Sequence, residues 1–140
     1  MSPPDPEALA RLHAACFVTP RPWSAEEIRQ LCAEASTFLL QRPGGFLLAR
    51  NAFDEAEVLT IAVDPAARRQ GLGRALMQAF LAEARARGAA TALLEVAADN
   101  AAAIALYRAT GFTRTGRRPG YYRTPDGTRK DAEIMSIALG

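Results

Sequence analysis

The run Val63-Asp-Pro-Ala-Ala-Arg-Arg-Gln-Gly-Leu-Gly-Arg74 holds residue types and spacing suited to binding an anion. It carries an apolar strand through a glycine-bearing turn into the start of a helix. Glycine lets the backbone come close to a ligand with its N–H groups turned inward. A helix N-terminus adds unsatisfied donors and a partial positive charge. Arg68, Arg69 and Arg74 add full charges. The combination fits a phosphate group, and read alone it also admits a helix N-terminus with a glycine turn and surface arginines. A dinucleotide fingerprint needs a third glycine where Leu76 stands, and a P-loop needs a lysine where the chain's single lysine, Lys130, is far away. Neither motif is present. Cys16, Cys32 and the single histidine, His13, lack the spacing of a zinc site, a catalytic triad or a disulfide framework. The cysteines read as buried, reduced thiols of a cytoplasmic protein, and no metal is expected.

The elements that must position this loop follow from local signals. Asp5-Pro6-Glu7 supplies an N-cap, a first-turn proline and an early acid, predicting a helix to about Cys16. Ser24-Ala-Glu-Glu27 is a capping box that opens a second helix through about Glu34. Thr37 to Gln41 and Phe46 to Arg50 read as a hairpin across Pro43-Gly44-Gly45. Glu57 to Val63 reads as a strand buried on both faces. After the glycine loop, Leu72, Leu76, Ala79, Phe80 and Ala84 form one helical stripe, with Gly88 at the expected C-terminal position. Ala92 to Val96 is another buried strand. Asp99-Asn100 caps a helix ending at Thr110-Gly111, and Phe112 to Leu139 holds two strands around Thr124-Pro-Asp-Gly127. This order predicts a mixed α/β fold, a single domain over residues 1–140 with a central mixed, mostly antiparallel sheet flanked by helices.

Composition sets the outer bounds. A chain of 140 residues with 49% apolar and 23% charged residues has the size and balance of one globular domain, not of a disordered or fibrous chain. No stretch approaches the ~18 apolar residues of a membrane span, and the N-terminus lacks the pattern of a secretory signal. The net charge of +2 is uneven. Residues 1–67 carry a balance of −4 and residues 68–140 one of +6. The second half should therefore meet something anionic.

Arg68-x-x-Gly71-x-Gly73 resembles the Q/R-x-x-G-x-G/A signature of the GNAT N-acetyltransferases. The wider blocks Leu59-Thr-Ile-Ala-Val-Asp-Pro, Leu94-Glu-Val96 and Asn100 through Arg108 are similar to the RimI subfamily in particular. Pro22-Trp-Ser24, Thr110-Gly-Phe112, Tyr121-Tyr122 and Asp126-Gly127 extend the resemblance along nearly the whole chain. It implies a GNAT fold, acetyl-CoA as cosubstrate and acetylation of a protein N-terminus, foremost the N-terminal alanine of a small-subunit ribosomal protein. Arg69, Gln70, Gly71, Leu72, Gly73 and Arg74 would form the pyrophosphate loop. The backbone at Ile61, Ala62 and Val63 would line the pantetheine arm, and Asn100 would hold the cofactor near its helix start. On its residue type alone, Asn100 is also a plain N-cap.

Direct transfer needs a neutral amine, an exit for its proton and stabilisation of the departing thiolate. An α-amine titrates near ~7.7–8.0 and a lysine amine near ~10.4, so deprotonating the lysine costs roughly 3.5 kcal/mol more at neutral pH. The resemblance places a general base at Glu95. This residue sits in an apolar strand beside nothing cationic in sequence, on the face shared by Leu93 and Ala97, and would act directly or through a water. By itself it reads equally as an edge-exposed or arginine-paired glutamate. Tyr107 falls at the position of the general acid. A phenol is a weaker acid than a thiol, so hydrogen bonding to a developing thiolate describes its role better than full transfer. Trp23, Tyr121 and Tyr122 would wall a peptide groove, or serve as core aromatics.

The sequence departs from the subfamily at Lys130, where an acidic residue is usual, at Arg123 in place of a proline, and at Gly120 in place of an asparagine. These changes, with Arg117 and Arg118, predict a more cationic acceptor groove. Neither membrane nor nucleic-acid binding is expected. The rival readings are acetylation of a small-molecule amine and a non-catalytic CoA-binding regulator.

Overall fold

The computed structural model describes residues 4–17, 21–68 and 70–140. Two helices open the chain, α1 (Pro6–Cys16) and α2 (Ala25–Ala33). The Asp5 side chain accepts from the Ala8 N–H at the start of α1, and the Ser24–Glu27 capping box is complete at the start of α2. Three antiparallel strands follow: β1 (Thr37–Arg42), β2 (Gly45–Ala52) and β3 (Glu55–Val63). A turn of 3-10 helix, Pro65–Ala67, leads to α3 (Leu72–Ala86). Then come β4 (Thr91–Ala97), α4 (Ala101–Ala109), β5 (Thr113–Arg123) and β6 (Arg129–Ala138). The predicted elements are all present, with strand ends moved by one or two residues. The β2–β3 turn at Phe53-Asp54 has no glycine or proline to announce it, and Phe53 adopts a left-handed φ of 55°.

The sheet has six strands in the order β1-β2-β3-β4-β6-β5. Only β3 and β4 pair in parallel, and the other neighbours are antiparallel. This is the mixed, mostly antiparallel sheet expected. One face packs against α3 and α4 around Leu47, Val58, Leu76, Phe80, Leu94 and Met135. The other face carries α1 and α2 over β1 to β3, around Leu9, Ile28, Phe46, Leu48 and Ala62. Each large side chain buried in this way contributes about 1.5–3 kcal/mol. On that second face, α1 and α2 pack on β1 and β3. Beside them, Glu95 and its β6 partner Ile134 are half-buried.

Strand β3 departs from the prediction of burial on both faces. Its Ala56, Val58, Thr60 and Ala62 are buried, whereas the residues between them are half-exposed and Glu55 is exposed.

Candidate active site

β3 and β4 pair only from Glu55–Val58 against Thr91–Leu94, yet both strands run on, to Val63 and Ala97. They part where β3 holds a bulge. Leu48 of β2 lies opposite Thr60 and Ala49 opposite Val58, so Leu59 is an extra residue. A bulge bends its strand and increases the local twist. Here it keeps the upper half of β3 on β2 and away from β4. It also resets the faces. Val58 packs toward α3, Leu59 and Thr60 both turn toward α1, and Ile61 and Val63 turn back toward α3. The β4-facing peptide groups beyond Val58 have no strand partner. A cleft of about 1000 Å³ opens there and passes from the α3–α4 face to the α1–α2 face.

One end of the cleft is made of backbone. Gly71 caps α3 with φ of 77°, a left-handed conformation that strains any residue with a Cβ, and no side chain caps the helix. The first N–H groups of α3 are thus left for an anion. Gly73 serves packing instead, because a Cβ there would lie 3.2 Å from Leu106 on α4. Leu72 and Arg74 line the cleft beside these glycines, and Arg68 is tied back by its Nε to the Val63 carbonyl at 3.3 Å. Ile61 and Val63 line it from β3, whereas the Ala62 side chain is buried in the α1–α2 core. Gln70 is exposed and lies outside the lining. Arg69 falls outside the described residues. Asn100 borders the cleft while its Oδ1 accepts from the Ala103 N–H as the cap of α4. Both readings of Asn100 therefore have a basis in the geometry. An open strand edge running into an uncapped, arginine-flanked helix start fits an extended ligand with a pyrophosphate at one end.

The other end is made of side chains. Glu95 is half-buried, and although nothing cationic stands beside it in sequence, it is arginine-paired in space: Arg118 Nε lies 3.0 Å from its Oε1. The partner comes from β5, where residue 118 faces Ala132 of β6, which in turn is flanked by Ile134 opposite Glu95. The Arg118 guanidinium also sits 5.2 Å from the centroid of the Tyr121 ring. Tyr121 stacks edge-on against Tyr122 at 5.1 Å. Burial, with the Glu95 carboxylate adding to it, pushes the Tyr122 phenol up to about 12. Tyr107 is buried on α4 and lines the same cleft, its ring edge-on to Phe112 at 6.3 Å. Burial first, and Tyr122 second, push its phenol well above the ordinary value. No described residue hydrogen-bonds its hydroxyl. Trp23 closes the wall from the α1 side.

Several expectations about charge are revised. Lys130 pairs with Asp99 at 2.8 Å, and Arg117 pairs with Asp131 at 2.7 Å and Glu133 at 3.2 Å. Together with the Arg118–Glu95 pair, these contacts give Arg117, Arg118 and Lys130, three of the four cations assigned from sequence to a cationic groove, an acidic partner each. The cysteines are half-buried and free, and Cys16 Sγ donates to the Val63 carbonyl at 3.2 Å. Among the described residues, no group of histidine, cysteine and acidic side chains could hold a metal ion.

Two cleft residues escape sequence reasoning. Glu57 faces the cleft from β3, one residue pair before the strands part. Burial raises the pKa of its carboxyl above the ordinary value, Glu95 adds to this, and Arg50 and Arg118 oppose it. Its signal is a glutamate at an alternating position in an apolar strand, the same one that singles out Glu95. His13 is the second; it is buried and bonded to Thr60, a partner 47 residues away that no local pattern reveals.

The sheet is parted by a bulge, with an uncapped glycine turn at one end of the gap and tyrosines and a carboxylate at the other. The sequence model of the Acetyltransferase (GNAT) family matches residues 6–112, and the chain belongs to that family, whose members are acetyl-CoA-dependent N-acetyltransferases. Within it the kinship is to the RimI type. The chain is 44% identical over 122 residues to the ribosomal protein bS18-alanine N-acetyltransferase of Escherichia coli K12, covering 84% of this chain and 82% of that one. It is 40% identical over 128 residues to the N-alpha-acetyltransferase RimI of Mycobacterium tuberculosis, covering 85% and 79%. The crystal structure of the ribosomal-protein-S18-alanine N-acetyltransferase from Escherichia coli superimposes with a TM-score of 0.86 at 38% identity, over 97% of this chain and 88% of that one. No described helix is long and apolar enough to cross a membrane.

Proposed function

We propose that this enzyme acetylates the α-amine of a protein N-terminus, with the N-terminal alanine of a small-subunit ribosomal protein as its leading acceptor. The observation that carries the reading is that Glu95 and Tyr107 stand on different elements around one cleft that passes through the sheet. An amine arriving from the α1–α2 face then meets a carboxylate, while a thioester entering from the α3–α4 face meets a phenol. The similarity to enzymes named for bS18 alanine acetylation supports the choice of acceptor.

When bound, acetyl-CoA supplies a thioester carbonyl that a neutral amine attacks directly. The chain's own residues prepare that attack. Arg118 holds Glu95 through Oε1, which leaves Oε2 to take the proton from the incoming ammonium, directly or through one water. An α-amine needs only modest help at neutral pH because its ordinary pKa is ~7.7–8.0. Tyr107, with its raised pKa, stays protonated and donates a hydrogen bond to the sulfur, which leaves as the thiolate when the C–S bond breaks. The second amine proton, shed once the C–N bond has formed, passes to water. Trp23, Tyr121 and Tyr122 border the path along which the peptide lies.

The test is incubation with acetyl-CoA and a panel of peptides, read by mass spectrometry. An alanine-starting ribosomal peptide should gain one acetyl group, on its α-amine. A peptide offering only a lysine side chain, and a polyamine, should be poor acceptors. Turnover of the polyamine in preference to every peptide, or no α-N-acetyl product across the panel, would overturn the reading.

A further inference from the structure

The buried imidazole of His13 joins three separate parts of the chain. Its Nε2 lies 2.9 Å from the Thr60 hydroxyl, and its Nδ1 accepts from the backbone N–H of Trp23 at 3.1 Å. Because Nδ1 is an acceptor, the ring proton must sit on Nε2 and point at Thr60. The ring is stacked at 4.3 Å on Phe17 and at 5.2 Å on Trp23. Only 1% of the residue is exposed. Burial lowers its pKa to about 4, against a smaller opposing effect of Glu27, so the ring is neutral under ordinary conditions. A second proton would set an N–H at Nδ1 against the N–H of Trp23.

Each partner of His13 belongs to the cleft. Thr60 follows the bulge that parts β3 from β4. Trp23 is a wall of the opening on the α1–α2 face. Trp23 itself is half-exposed and immediately precedes the cap of α2, so the contacts to His13 fix both its backbone and its ring. We infer that neutral His13 is a positioning residue that pins the Trp23 wall to the bulge of β3, and so sets the width of the acceptor entrance. Its hydrogen bond to β3 runs through a side chain, while the β3 backbone stays paired with β2. Losing His13 should therefore disturb acceptor binding and leave cofactor binding nearly unchanged. This rests on the reading of the α1–α2 face as the acceptor side.

The chain has a single tryptophan, so fluorescence excited at the red edge, beyond tyrosine absorption, reports on Trp23 alone. Three variants test the inference: His13→Leu removes both hydrogen bonds, His13→Asn can restore an acceptor for the Trp23 N–H, and Thr60→Val removes only the Nε2 partner. His13→Leu should raise the KM of the acceptor peptide about tenfold while the Kd of acetyl-CoA changes less than about threefold. Its Trp23 emission should shift to the red as the ring comes free of its stack. His13→Asn should recover part of both losses. If His13→Leu fails to fold, Thr60→Val carries the test, with a rise in acceptor KM of about threefold and a smaller red shift. An acceptor KM within twofold of the parent, a matching rise in the Kd of acetyl-CoA, or a His13→Asn variant no better than His13→Leu would overturn the inference. Emission needs no acceptor: a red shift in a series that acetylates no peptide would count against the proposed function and uphold the pinning of Trp23. Normal turnover with unmoved emission would do the reverse.

Discussion

The two ends of the cleft are built from different materials. The end at Gly71 is backbone: an open strand edge, a left-handed glycine and a helix start with no side-chain cap. The end at Glu95 is side chain: a carboxylate, an arginine, four aromatic rings and a histidine that holds one of them. A backbone-built site binds what many ligands share, an extended arm and a phosphate. A side-chain-built site distinguishes one amine from another and can be retuned without touching the fold. The contrast predicts that damage at one end leaves the other working.

The largest break of that separation is expected at Glu95. On the proposed chemistry, Glu95→Gln should lower kcat by about 10²–10⁴-fold, with the acetyl-CoA Kd from calorimetry unchanged. A loss of cofactor affinity of similar size would merge the two ends. Next in size, Tyr107→Phe should lower kcat by roughly tenfold to a hundredfold, the scale of one lost donor to a developing charge, again at nearly constant acetyl-CoA affinity. Unchanged turnover with weakened binding would make the hydroxyl a binding group. Gly71→Ala works on the backbone end. Placing a Cβ at φ of 77° costs about 1–2 kcal/mol. The KM for acetyl-CoA should therefore rise about tenfold and the acceptor KM should hold.

The smallest effect is one of pH. Folded His13 titrates at about 4 against an ordinary 6.5, so the unfolded chain binds more protons between these values. The stability contributed by neutral His13 is complete above pH 6.5 and is lost as the pH falls toward 4. By pH 5.5 the loss should be about 1 kcal/mol, a few degrees of Tm. His13→Asn should flatten that slope. An equal acid slope in both proteins would assign it elsewhere.

The same division explains what could be read from the sequence. The backbone end was legible because glycine spacing, strand-to-helix order and helix caps are local signals, and Gly71 is needed for a dihedral that its neighbours impose. Even there, Gly73 proves to serve the approach of Leu106, 33 positions on in the chain, which no local pattern shows. The side-chain end was legible only for residue types. Glu95 could be picked out by alternation, but its partner Arg118 comes from β5, two strands over in the sheet, and reaches it across β6. Glu57 was passed over because its neighbours in sequence gave it no partner, whereas in space it shares the cleft with Glu95. Charge was legible as a balance but not as a map. Arg117 and Lys130 close on Asp131, Glu133 and Asp99, acids already counted in the +6 of the second half, so these pairs leave that excess unchanged.

The parting of β3 from β4 has a consequence for the protein before it meets its cofactor. The peptide groups from Leu59 to Val63 form a strand edge in the middle of a sheet, a kind of edge that other extended chains can pair with. The gap in which a pantetheine arm would lie is thus also the point at which an unliganded molecule is most open to association with its own kind. Its amides should exchange with solvent deuterium faster than those of the neighbouring β2 and slow when acetyl-CoA binds. The bulge at Leu59 keeps the exposed stretch short and twisted, which limits self-association while keeping the slot open to a narrow ligand.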